Sequence, residues 1–147
     1  MTAPTQHDEK WVAAEVWLQR YLSPLVSVTP WQTALGSKLW ATGMPKPYRA
    51  VRRITGPRDE FTDEPVMRVH TFDATYTGAA IEAARNDDMI VELVRYPGWA
   101  VTMPDSSVVR CEWAEITEAA HEEDYGAESV VTRFVSEYRF GFSDIPA

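Results

Sequence analysis

Apolar and polar positions repeat with two different periods along the chain, and each change of period marks an element. From about His7 to Leu22, Trp11, Ala14, Leu18 and Leu22 recur at steps of three and four, with Val12 and Val16 widening the stripe. That spacing predicts a helix with one buried face. Thr5 and Asp8 are its candidate N-caps, and Ser23-Pro24 ends it. The stretch from Val26 to Met44 mixes Trp31, Leu35 and Trp40 with Thr, Gly and Ser and has no single period. Pro45-Lys46-Pro47 follows as a stiff spacer. Tyr48 to Ile54 then reads as a basic strand, with Arg49, Arg52 and Arg53 among Val51 and Ile54, stopped by Gly56-Pro57.

The segment from Arg58 to Pro65 is a charged loop holding Asp59, Glu60, Asp63 and Glu64. A second strand covers Val66 to Phe72. From Thr77 to Arg95 the period returns to helical, with Ala80, Ala83, Ala84, Ile90, Val91 and Val94 on one side. Thr77 is its candidate cap, and Tyr96-Pro97-Gly98 its stop. Trp99 to Met103 and Ser107 to about Thr117 read as strands flanking the turn Pro104-Asp105-Ser106, with Val109, Cys111 and Trp113 expected on one face. An acidic run, Glu118 to Glu128, separates them from a long strand over Ser129 to Phe142. There Val130, Phe134, Tyr138, Phe140 and Phe142 share one parity, and Arg133, Glu137 and Arg139 the other. The expected class is α+β: a mostly antiparallel sheet of about four to five strands with two helices packed on it. The 147 residues suit a single domain, with residues 1–6 and 143–147 as tails.

Charge changes this picture. The net charge is −8, a poor match for phosphate backbones. Residues 1–58 hold eight Lys/Arg against three Asp/Glu, and residues 59–147 hold six against nineteen. A chain with a basic part and an acidic part can pair with copies of itself, because opposite patches steer encounter and fix register. The plainer reading is that the acids keep the protein in solution. No apolar run is long enough to span a bilayer. The first ten residues lack a basic stretch followed by an apolar one, so no secretory signal is expected.

Candidate chemistry is sparse. No Gly-rich phosphate loop, nucleophile elbow or paired-histidine motif occurs in the sequence. Cys111 with His70 or His121 has the residue types of a thiol nucleophile and base, yet its strand parity says core. His121-Glu122-Glu123-Asp124 gathers hard ligands, although such runs are usually solvated turns. Asp59 and Asp63 with Glu60 and Glu64 have the donors for magnesium, but a salt-bridged turn facing the arginines explains them as well. Pro104-Asp105 followed by Glu112-Trp113-Ala114 approaches a metal-dependent nuclease pattern, with alanine where a lysine is required. The chain is therefore expected not to be an enzyme and to need no cofactor or metal.

The order of these pieces is similar to tail terminator proteins of long-tailed (siphovirus-type) bacteriophages. The likeness runs over about residues 7–142: the first helix with Leu22-Ser23-Pro24-Leu25, and the basic strand Tyr48 to Ile54. It continues through Gly56-Pro57-Arg58-Asp59, Asp63-Glu64-Pro65, the strand Val66 to Phe72, the Ala-rich helix and the aromatic strand Val131 to Phe140. The segment Val26 to Met44 and the acidic run Glu118 to Glu128 depart from the family pattern. What the resemblance implies is a virion structural protein, a homohexameric ring on the head-proximal end of the tail tube. Such a ring stops tube growth and docks to the neck or connector, with DNA passing passively through its lumen. The implied partners are further copies of itself, the tail-tube protein and the head–tail connector. The implied location is the head–tail junction of the virion, reached by assembly in the host cytoplasm without a membrane. On this reading Arg49, Arg52, Arg53, Arg58, Asp59, Asp63 and Glu64 are the candidate subunit interface, and Trp31 and Trp40 the candidate docking aromatics. The alternatives are another phage neck or head-completion protein, or a small α+β domain that binds an apolar ligand.

Overall fold

A computed structural model of the chain describes residues 6–57, 62–126 and 130–144, with side chains described between 11 and 143. Helix α1 (Gln6–Leu22) runs into a 3-10 turn at Ser23–Leu25, where Pro24 cannot donate to the preceding turn. The strands are β1 (Leu35–Gly36), β2 (Tyr48–Thr55), β3 (Thr62–Asp63) and β4 (Val66–Asp73). After helix α2 (Tyr76–Arg95) come β5 (Ala100–Thr102), β6 (Val108–Glu123) and β7 (Thr132–Asp144).

The sheet corrects the α+β expectation of four to five mostly antiparallel strands carrying two helices. Seven strands form one mixed, curled sheet resembling half a barrel, in the order β1-β2-β4-β7-β6-β5, with β3 also on β7. The parallel component is β1 on β2, through Leu35 opposite Arg49 and Gly36 opposite Ala50. Both β1 and β3 are two residues long, too short to leave a period in the sequence. The acidic run does not separate the last two strands, because residues 118–123 belong to β6 and pair with β7. β7 likewise runs to Asp144, two residues into the segment read as a tail.

Both helices pack on one face of the sheet. Trp17, Leu18 and Leu22 of α1 are fully buried against Val51, Met67, Val69, Tyr138 and Phe140. Each such side chain contributes on the order of 1.5–3 kcal/mol of burial. Trp17 also donates its indole N–H to the Val109 carbonyl at 2.9 Å, which fixes α1 against β6. Val12, expected on the buried stripe, is 53% exposed.

The cap of helix α2 lies two residues before the expected one. Thr75, not Thr77, is the N-cap, its hydroxyl accepting the Gly78 N–H at 3.0 Å. The buried positions are Ala79, Ala83, Asn86, Ile90 and Leu93, so Val94 faces outward. A bulge between Cys111 and Trp113 corrects a second expectation: it reverses parity, leaving Cys111 in the core and Trp113 packed over Gly141 on the opposite face. On that face a smaller cluster gathers Trp40, Tyr48, Ala50, Phe72 and Val131. The segment from Val26 to Met44 therefore bridges the two faces, with Trp31 packed on the main core and Trp40 on the second cluster.

Candidate interaction surface

Strand parity separates the three arginines of β2. Arg49, Val51 and Arg53 point to the helix side, and Arg52 to the open face, where it is exposed. Arg49 is 1% exposed. Its Nε donates to Asn86 Oδ1 at 2.6 Å, and its Nη2 to the Glu82 carbonyl at 3.0 Å and to Glu82 Oε2 at 2.7 Å. Burial lowers the Arg49 pKa, and the Glu82 carboxylate opposes that shift. Arg53 is bound to Asp63 through both terminal nitrogens and donates to the Gly56 carbonyl at 2.9 Å. Its guanidinium lies 4.8 Å from the Trp11 ring centre.

The proposed interface group is thus divided. Arg49, Arg53 and Asp63 are buried within the subunit, so they are not surface contacts; Arg52 is exposed and Glu64 is half-buried. Arg58 and Asp59 lie outside the described residues. Trp40 is 8% exposed, donating its indole N–H to the Met44 and Pro45 carbonyls, and Trp31 is half-buried. Trp40 is thus taken up within its own subunit, and Trp31 keeps part of its surface exposed.

What the fold does create is a charge polarity across the sheet. β1 covers β2 only at Arg49 and Ala50, so residues 51–55 form an edge, with Arg52 exposed on the open face, while Lys46 and Arg85 line a cavity with Arg49 on the helix side. β5 covers β6 only over Val108 to Arg110, with the Gly98–Cys111 and Trp99–Cys111 backbone bonds just beyond. From Glu112 onward β6 is the opposite edge and exposes Glu112, Glu115, Glu118 and Glu122. Helix side chains occupy three of the edge groups. Glu15 Oε2 accepts the Arg53 N–H at 2.9 Å, Asp87 Oδ2 accepts the Ala120 N–H at 2.8 Å, and Arg20 donates to the Thr102 carbonyl at 3.2 Å. Edges plugged this way resist open-ended strand pairing and leave side-chain charge as the contact chemistry.

The candidate catalytic pairs are kept apart. Cys111 is buried on the helix side, its Sγ 3.3 Å from the Trp113 carbonyl, and burial pushes its thiol up to about 12. His70 lies on the open face, stacked on Phe72. His121 Nε2 sits 3.0 Å from Glu123 and 3.3 Å from Glu118, and its Nδ1 is 3.0 Å from the Ala119 carbonyl. Those hydrogen bonds and neighbouring carboxylates raise its pKa. Asp105, of the nuclease-like pattern, instead accepts the Ser107 N–H and hydroxyl, which lower its pKa.

A second feature had no signal in the sequence. The ends of α1, α2 and β5 enclose an apolar cleft of about 510 Å³ lined by Tyr21, Met89, Leu93, Tyr96, Trp99 and Val101. No helix among the described residues is long and apolar enough to cross a membrane. No known protein family matches the chain, and no relative is found among the curated proteins.

Proposed function

We propose that this chain is a phage tail terminator: a structural protein that closes into a ring, caps the head-proximal end of the tail tube and docks to the neck, DNA passing through the lumen. The observation that carries the reading is the opposite charge at the two ends of the sheet: exposed Arg52 on β2, with Lys46 and Arg85 around Arg49, against exposed Glu112, Glu115, Glu118 and Glu122 on β6, of which Glu115 and Glu118 also pair with Arg139 and His121. A surface that is complementary to its own opposite side makes head-to-tail contacts, and head-to-tail contacts generate rings when the rotation closes.

The test is addition of the purified chain to polymerising tail-tube protein. Tubes of limited length, with density at one end in negative stain, support termination. Tubes that lengthen as they do without the chain overturn it.

The apolar cleft at Tyr21, Tyr96 and Trp99 favours one other reading, a domain that holds a small apolar ligand. That reading requires an apolar dye to bind and Tyr96→Ala with Trp99→Ala to abolish the binding.

A further inference from the structure

On the basic side, two loops and one face of α2 enclose a cavity of about 250 Å³ whose walls include Pro24, Pro45, Lys46, Arg49, Glu82 and Arg85. Its charge is unbalanced. Glu82 Oε2 accepts Arg49 Nη2 at 2.7 Å, while Arg85 Nη1 lies 3.0 Å from Oε1 and 3.1 Å from Oε2. One carboxylate therefore serves two guanidinium groups, with Lys46 held 5.8 Å from the Trp40 ring centre. Arg49 is buried, with its Nε and Nη2 held by Asn86 and Glu82. An anion entering this space meets three cations against one carboxylate, and can take charge-assisted hydrogen bonds from Lys46 and Arg85. Proline walls hold the space open in advance, which lowers the ordering cost of binding.

We infer that this cavity is a carboxylate socket, filled in the assembled ring by an acidic side chain from the β6 edge of the next copy. The occupant rests on the ring reading; the chemistry of the socket does not. Charge complementarity selects the occupant, because β6 lies at the opposite side of the sheet and exposes Glu118 and Glu122.

Two measurements on the full chain test this. In the first, thermal unfolding is followed in glutarate and in chloride at equal ionic strength. Glutarate at about tenfold its dissociation constant is expected to raise Tm by about 3–6 °C. The double variant Lys46→Ala, Arg85→Ala, still unfolding cooperatively, is expected to lose the rise. Equal rises in both proteins, or none in the wild type, overturn the socket. In the second, oligomer mass is read by light scattering at low salt. Arg85→Glu is expected to reduce it, and Glu118→Arg with Glu122→Arg in the same chain to restore it. Undiminished rings in Arg85→Glu overturn the second copy as occupant while leaving the ring reading standing. A wild type that takes glutarate yet stays monomeric at every salt overturns the ring reading and this occupant together.

Discussion

Arg53 and Asp63 face each other as a two-pronged ion pair, Nη1 to Oδ2 and Nη2 to Oδ1 both at 2.7 Å, tying the end of β2 to β3. The Arg53 side chain is fully buried and that of Asp63 is 12% exposed. Removing one partner leaves the other charge buried without compensation. Asp63→Ala is expected to destabilise the fold by about 3–5 kcal/mol, read from the urea midpoint at neutral pH. A change below about 1 kcal/mol would show the pair to be solvated.

Asn86 links the helix to the sheet. It accepts from Arg49 Nε and donates to Thr71 Oγ1 at 2.7 Å, with all three groups buried. Asn86→Ala is expected to cost about 2–4 kcal/mol, because a charged donor and a hydroxyl lose their partner together. Thr71→Val in that background should add less than it costs alone, since both changes act on one network. Full additivity in a double-mutant cycle would contradict the coupling.

Gly141 lies beneath the Trp113 indole, and a Cβ there would overlap its Nε1. Arg139 in turn sits 5.7 Å from the Trp113 ring centre. Gly141→Ala is expected to expel the indole, with about 1–3 kcal/mol lost to overpacking and a red-shifted tryptophan emission. Unchanged emission together with unchanged stability would contradict this packing.

His70 predicts an acid-side loss of stability. It is 8% exposed, its Nδ1 has no partner among the described residues, and burial lowers its pKa to about 4. Nearby Arg133, Arg68 and Arg52 push the same way, and Glu123 opposes them. The unfolded chain therefore takes up a proton near pH 6.5 that the folded chain takes up only near pH 4. Stability falls as pH drops through that window, by on the order of 2–3 kcal/mol from this group. His121, whose pKa is raised, works in the opposite direction, so the test compares His70→Phe with wild type. The variant should lose the His70 component of the slope between pH 6.5 and 4.5. Identical slopes would contradict a buried neutral His70.

Both helices and the longer strands β2, β4 and β7 were legible from period alone, because each repeats its pattern over at least two turns or four alternations. The α+β sheet expectation failed at pieces with no period: β1 and β3 have two residues each and are specified by pairing. The bulge at Cys111 defeated a simple parity reading of β6. Arg49 and Arg53 are different, since their shared parity with Val51 already placed them on the core side of β2. Grouping them with Arg52 by charge hid that signal. The socket was not legible, because Lys46, Arg49 and Arg85 come together only through the tertiary fold.

Light scattering of the purified chain at low and moderate salt, followed by negative-stain imaging, tests ring formation most directly. The account predicts a particle near six times 16.7 kDa with a central hole, losing mass as salt rises or on Arg52→Glu. A monomer in both salts that also leaves tail-tube length unchanged when mixed with tube protein would contradict it.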